Sequence, residues 1–140
     1  MSASGDIVAY VDADTQPPAG WIDQISRHFA TDSGLACLSG PYSFYDMSGI
    51  RRWISTGWFV TARPLYKLTG YMMVGGNFAM PRDILHAMGG FDDTIEFYGE
   101  DVDIAKRASK FGKVRFSPAF VMPTSGRRLK KQGLLKMAGL

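Results

Sequence analysis

The alternation of short apolar runs with amphipathic segments is the feature that most narrows the folds open to this 140-residue chain. Residues Asp6–Val11 are a short run of β-forming residues, and we predict a buried parallel strand there. Gly20–Ala30 follows with apolar residues at helical spacing, which predicts an amphipathic helix. Because the two patterns keep alternating, we predict an α/β fold with a single domain over residues 1–140.

The remaining elements are predicted by the same patterns and by residues that end helices. The predicted strands are 35–45 (ending in a turn), 71–80 and 113–116, and the predicted helices are 51–68, 82–88 and 101–111. Gly89 and Gly90 suit the end of the second of these helices. In the third, Asp103 is placed to pair with Arg107 one turn later, and Val102 is expected on the apolar side.

The composition is that of an ordinary folded domain, with 46% hydrophobic and 21% charged residues. The longest apolar-rich region, 53–74, contains Arg63, Pro64 and Lys67, so we do not expect it to cross a membrane. The N-terminus lacks the basic start and apolar stretch of a signal peptide. Cys37 is the only cysteine, which excludes an internal disulfide. We therefore expect a location in the cytosol or at the cytosolic face of a membrane.

The net charge of +3 is unevenly distributed along the chain. Five basic residues and no acidic ones lie from Arg127 onward, whereas the preceding 126 residues hold 11 basic and 13 acidic residues. A general nucleic-acid binder would carry its basic residues across the folded surface, so we expect no nucleic-acid partner. The segment 127–138 is basic and amphipathic, and we expect it to meet an anionic ligand or a membrane surface.

Two carboxylates follow the first predicted strand, in the sequence Asp12-Ala13-Asp14. Side chains two positions apart on a strand point to the same side, so both can address one site. In open α/β sheets, ligands bind beyond the carboxyl ends of the strands. Paired carboxylates there suit Mg²⁺ or Mn²⁺ together with a substrate phosphate. The alternative is a solvated turn in which an aspartate caps the next helix.

A second group of acids surrounds the start of the helix predicted at 101–111. Six acidic residues lie within 92–103, and such a cluster repels itself unless a cation, a base role or solvent relieves it. Glu100 and Asp101 stand at the helix start, where a fixed carboxylate can accept a proton from a hydroxyl. The alternative is that both acids only complement the helix dipole.

Two further motifs are candidate ligand contacts. Gly75-Gly76-Asn77 combines close backbone approach with an amide that can donate and accept, although these residues taken alone favour a β-bulge. Arg127 and Arg128 can bind phosphate in a fork geometry, or they can belong to a solvated charge run. The two histidines, at 28 and 86, lie inside predicted helices and are expected to be structural.

Taken in order, these segments resemble the second half of the family 2 glycosyltransferases, which have a GT-A fold. The resemblance covers residues 5 to about 128 and rests on four segments, which are 6–21, 75–82, 89–93 and 99–107. It implies an enzyme that transfers a sugar, with inversion, from a nucleotide-sugar donor to a hydroxyl of a saccharide or lipid-linked acceptor. It also implies a partial GT-A sheet with flanking helices, from which the N-terminal βαβ portion is missing.

The resemblance assigns roles to individual residues. Asp12 and Asp14 match the D-x-D motif that holds the divalent metal, Mg²⁺ or Mn²⁺, and the donor diphosphate, with Asp14 ahead of Asp12 as the direct ligand. Asp101 matches the catalytic base, and Glu100 is its neighbour in the "ED" motif.

The remaining matches concern the substrates. The segment that lines the donor sugar and the acceptor matches Gly75, Gly76 and Asn77. Arg127 and Arg128 resemble a basic pair near the donor phosphates.

The chain departs from the family pattern in two respects. The half that recognises the nucleotide base is absent, and 122–126 lacks the histidine that many members place after the last strand as a metal ligand. Two other functions remain open. One is a non-catalytic α/β module that binds sugar phosphates or docks onto a partner. The other is a metal-dependent phosphoryl-transfer enzyme, although the chain has no glycine-rich phosphate loop ending in Lys-Ser/Thr.

Overall fold

The computed structural model describes residues 3–47, 49, 70–92, 94–95 and 99–127. The elements are, in chain order, β1 (Ile7–Val11), α1 (Trp21–Thr31), β2 (Leu35–Ser39), β3 (Tyr42–Phe44), β4 (Asn77–Pro81), α2 (Arg82–Ala87), α3 (Glu100–Ala108), β5 (Lys113–Phe116) and β6 (Met122–Thr124). The predicted helix at 51–68 lies outside the described residues. No helix within those ranges has the length and apolar character to span a bilayer.

The described strands form two sheets. The larger sheet has the order β1-β4-β2-β5, in which β4 is antiparallel to both neighbours and β2 is parallel to β5. The smaller sheet pairs β3 with β6 in parallel. The mixed α/β class predicted from the sequence is confirmed.

The first strand differs from its prediction. We predicted a buried parallel strand, but β1 pairs antiparallel with β4, from Ile7 opposite Pro81 to Val11 opposite Asn77. It lies at the edge of the described part of the sheet, and Val11 is 48% exposed. An apolar run of five residues does not encode the direction of its partner, which is why the prediction was wrong on this point.

The strand predicted at 35–45 is divided between the two sheets. Gly40 lies at the break, where the backbone passes so close to the carbonyl of Phe120 that a Cβ atom at residue 40 would overlap it. Pro41 follows and has no N–H to continue the ladder. The chain therefore leaves the larger sheet after β2 and enters the smaller one as β3.

Two other predicted elements are shorter than expected. The strand predicted at 71–80 begins at Asn77, since 75–76 form a turn in which the N–H of Asn77 donates to the carbonyl of Val74 at 3.0 Å. The helix predicted at 101–111 runs from Glu100 to Ala108 instead. Its buried side contains Ile104, whereas Val102, which we expected there, is 55% exposed.

The helices cover both faces of the larger sheet, and the side chains of β4 show this directly. Phe78 and Met80 point into a core that includes residues of α2 and α3. Ala79, between them, points into a second core that includes Trp21 and Ile25 of α1. Alternate residues of a strand face opposite sides, so β4 is covered by helices on both.

Candidate active site

The Asp12–Asp14 turn is held by hydroxyl groups from the smaller sheet. The hydroxyl of Tyr42, in β3, donates to Oδ2 of Asp12 at 2.8 Å. The hydroxyl of Thr124, in β6, donates to Oδ1 of Asp14 at 3.4 Å. Burial, and then the bond to Asp12, raise the pKa of the Tyr42 hydroxyl, which keeps it protonated and able to donate. The turn does not cap α1, whose N-cap is Gly20.

The glycine pair lies between two sets of acids. A Cβ atom at Gly76 would overlap both the Asp12 carboxylate and the Tyr42 hydroxyl. A Cβ atom at Gly75 would stand 3.7 Å from the Cβ of Asp101. The two acidic motifs, which are far apart in sequence, therefore lie beside adjacent residues of one turn. Gly75 and Gly76 form a tight turn, and at residue 76 a side chain has no room.

Asp101 differs from the other described acids of its cluster. It is half-buried at the start of α3, and its Oδ1 accepts the N–H of Val102 at 2.9 Å. Burial raises the pKa of this carboxyl, and the hydrogen bond from Val102 offsets only part of that shift. A half-buried carboxylate with a raised pKa, beside a glycine turn, has the properties of a general base.

The neighbouring acids are engaged in structure or lie in solvent. Asp103 forms a 2.6 Å ion pair with Arg107, as predicted from their spacing. Asp92 accepts the N–H of Thr94 at 2.9 Å, which closes a turn. Glu100 is exposed. Asp93 and Glu96, also in the cluster, lie outside the described residues.

Asn77 does not reach the surface. The side chain is fully buried, its Oδ1 accepts the indole N–H of Trp21 at 3.1 Å, and its Nδ2 donates to the carbonyls of Gly40 (3.1 Å) and Phe120 (2.7 Å). These three bonds join α1, the break after β2 and the loop before β6. The structure thus gives the amide a structural role, although we predicted it as a substrate contact.

Arg127 lies against the acid pair, and the loop before it is fixed. Its Nη2 is 3.3 Å from Oδ2 of Asp14, and both side chains are accessible, at 70% and 37% exposure. Asp46 accepts the N–H of Gly126 at 2.6 Å and the hydroxyl of Ser125 at 2.9 Å. The arginine is therefore held at the D-x-D turn. Arg128, its predicted partner, lies outside the described residues.

Comparison with known proteins assigns the family. Residues 7–129 match the sequence model of glycosyl transferase family group 2. The chain belongs to this family. No curated protein matches the chain.

A solved structure shows the fold of this glycosyltransferase family member. The match is to a mannosyltransferase from Pyrobaculum calidifontis, determined in complex with GDP-Man and Mn²⁺, with a TM-score of 0.58 and 20% sequence identity. It covers 88% of the present chain and 33% of the mannosyltransferase, so the chain spans about a third of that protein's length. The GT-A fold predicted from the sequence is confirmed.

The oxygen atoms of this candidate site fit a divalent cation shared with phosphate. Asp12 and Asp14 supply carboxylate oxygens at the end of a strand, with Asp14 accessible to solvent. Within the described ranges no group of three or more His, Cys, Asp or Glu side chains is arranged to hold a metal. One or two carboxylates, completed by substrate phosphates and waters, is the usual coordination of Mg²⁺ in proteins. The residues fit such an ion as a partner of the donor diphosphate.

Sequence reasoning missed the residues that hold the site in place. Tyr42 and Thr124 contact the predicted site residues Asp12 and Asp14 across separations of 30 and 110 positions, and Asp46 holds the backbone just before Arg127. Nothing in their local sequence distinguishes them from ordinary strand and turn residues. The glycine pair carried an indirect signal, because paired glycines at a strand start indicate a close approach by another group.

Proposed function

We propose that this chain supplies the acceptor side and catalytic acids of an inverting, metal-assisted glycosyltransferase that acts as part of a longer enzyme. The observation that carries the proposal is the position of the Gly75–Gly76 turn, where a Cβ atom at residue 76 would overlap Asp12 and a Cβ atom at residue 75 would stand 3.7 Å from the Cβ of Asp101. Sugar transfer with inversion needs support for the leaving diphosphate on one side of the sugar and a base on the other. In this proposal, Asp12 and Asp14 support the diphosphate and Asp101 is the base.

The paired aspartates serve the leaving group in this proposal. Asp12 and Asp14 would hold Mg²⁺ or Mn²⁺, which when bound offsets the charge that develops on the diphosphate. Arg127 is placed to contact the same phosphates, because its guanidinium already lies at Asp14. Thr124 and Tyr42 keep the carboxylates oriented.

Asp101 serves the nucleophile. Its carboxylate accepts the proton of the acceptor hydroxyl as the oxygen attacks the anomeric carbon. Burial raises the pKa of this carboxyl, which makes its carboxylate form a stronger base. Gly75 presents no side chain there, which leaves room for the donor sugar and the acceptor next to Asp101.

The chemistry of the site indicates the class of each partner. The paired acids and Arg127 suit a nucleoside-diphosphate sugar as donor, and the acceptor is a saccharide or lipid-linked hydroxyl. Two observations support a further half that recognises the base: β1 lies at the edge of the described part of the sheet, and the chain covers 33% of its structural relative. The basic segment from Arg127 onward supports contact with the cytosolic surface of a membrane, and most of it lies outside the described residues.

Calorimetry tests the proposal through donor binding. We expect Mn²⁺ and GDP or UDP to bind together, and we expect Asp14→Ala to weaken that binding at least tenfold. Asp23→Ala is the matched control, because Asp23 is an exposed acid in the first turn of α1 and its substitution removes the same charge as Asp14→Ala does. Equal loss in both variants would mean that net charge, not the site, drives binding. Unchanged binding by Asp14→Ala would remove the D-x-D assignment. Metal-dependent binding without sugar transfer by any longer form of the protein would favour the non-catalytic module.

A further inference from the structure

We propose that Tyr42 is a positioning residue for the donor site, because its hydroxyl fixes the Asp12 carboxylate so that one oxygen faces the ligand. The inference rests on the proposed function, in which Asp12 helps to hold the metal and diphosphate. Neither the sequence motifs nor the family match assigns a role to Tyr42.

The first observation is that the tyrosine ring is itself fixed. Tyr42 is half-buried and packs against both the core under α1 and the small core of Phe44 and Met47. Its ring meets that of Phe44 edge to face, with centroids 6.3 Å apart. The strand that carries it is paired along its whole length, with Tyr42 opposite Met122 of β6. The hydroxyl is thus presented from a rigid support.

The second observation is that the pair is confined by the backbone. The hydroxyl–carboxylate contact at 2.8 Å lies directly on Gly76, at the place where any other residue would put its Cβ atom. Three groups from β1, β3 and the turn before β4 therefore meet at one point. The absence of a side chain at residue 76 is explained by this contact, which shows that the fold makes space for the pair.

The consequence concerns the two oxygens of one carboxylate. Oδ2 of Asp12 accepts the phenol proton, which uses one of its lone pairs, so in this proposal Oδ1 is the oxygen turned to the ligand. Without the phenol, the side chain could turn about χ2 and present either oxygen. Groups that orient metal ligands in this way typically change metal affinity by about 10- to 100-fold when they are removed. Thr124 makes the equivalent but longer contact to Asp14.

The test is the substitution Tyr42→Phe, which removes only the phenol hydroxyl. In Tyr42→Phe, we expect Mn²⁺ affinity in the presence of GDP, measured by electron paramagnetic resonance of free Mn²⁺, to fall about tenfold. Tyr45→Phe is the matched control. Its hydroxyl lies in the same region but contacts only the backbone carbonyl of Asp14, at 3.3 Å, and it should change the affinity by less than about twofold.

A double-mutant cycle separates positioning from general structure. If Tyr42 acts through Asp12, Tyr42→Phe has no further effect on Mn²⁺ affinity once Asp12 is alanine. An equal loss in both backgrounds overturns the inference, as does unchanged affinity in Tyr42→Phe while Asp12→Ala weakens binding. If neither Asp12→Ala nor Asp14→Ala affects Mn²⁺ binding, or if Mn²⁺ does not bind, the proposed function fails and the positioning role fails with it.

Discussion

At the scale of single residues, the role proposed for Asp101 and its effect on stability oppose each other. Its pKa is raised above 3.8 by burial, so the folded chain binds this proton more tightly than the unfolded chain does. The contribution to stability is therefore fully present below about pH 3.8 and is lost as the pH rises through the raised value. At neutral pH the carboxylate reduces the stability of the fold. A residue kept at such a cost is a candidate for function.

The variant Asp101→Asn tests both sides of this statement. In the longer enzyme that we propose, we expect turnover to fall by about 100-fold or more, because the amide keeps the size of the side chain and loses its basicity. Thermal unfolding of the variant should occur at a higher temperature than that of the wild type at pH 7, and the difference should shrink toward pH 4. Asp23→Asn, which removes an exposed carboxylate from α1, should alter neither quantity appreciably. Near-normal turnover in Asp101→Asn would assign the base to another residue.

At the scale of elements, hydrogen bonds from the smaller sheet hold the Asp12–Asp14 turn in place. β3 contributes the bond to Asp12, β6 contributes the bond to Asp14, and the carbonyl of Pro123 accepts the N–H of Gln16 at 2.8 Å. The loop that leaves β6 then returns Arg127 to Asp14, held by Asp46. The smaller sheet thus links the position of the acidic turn to the position of Arg127.

This link gives Arg127 opposite effects in the free and liganded protein. In the proposed site, Arg127 would compete with a cation for Asp14 when no diphosphate is present, and it would add to the binding of a diphosphate. We expect Arg127→Ala to raise the affinity for Mn²⁺ alone by up to about fivefold, the limit for an exposed ion pair. The same variant should lower the affinity for GDP with Mn²⁺. Arg27→Ala, an exposed arginine on α1, serves as the control. Affinities that change in the same direction would contradict the competition.

The sequence predicted local features of these elements but not the contacts between them. Helical spacing predicted α1, and Gly89 and Gly90 predicted the end of α2. Both glycines adopt the positive φ that favours glycine, at 81° and 77°. The direction of β1 and the buried position of Asn77 were not predicted, because both depend on partners more than 35 residues away. The spacing of Asp12 and Asp14 predicted paired ligands and the resemblance implied the D-x-D motif, whereas neither pointed to Tyr42, which donates a hydrogen bond to Asp12.

At the scale of the whole molecule, buried polar groups join the layers. Asn77 connects α1 to the loop before β6, and the hydroxyl of Ser39 donates to the carbonyl of Asn77 at 2.8 Å and accepts the N–H of Val74 at 2.9 Å. An unpaired buried polar group costs about 1–3 kcal/mol, so these residues must all be in place together. The start of β4, and with it the glycine turn, is consequently tied to the packing of the entire domain.

The rate at which the single thiol, Cys37, reacts with a reagent measures how often the packed domain opens. Cys37 is fully buried in β2, its sulfur is 3.7 Å from that of Met73, and burial raises its pKa to about 12. A thiol reagent at pH 8 can therefore react only with molecules that have opened. We expect labelling to quicken with urea and to slow in the presence of Mn²⁺ and GDP, since a ligand that binds the native state lowers the open population. Asp14→Ala should abolish the slowing. A labelling rate that does not change with urea would show that the reagent reaches the sulfur through the folded protein. If the rate does rise with urea, the rate at which Cys37 is labelled reports how much of the protein has ligand bound.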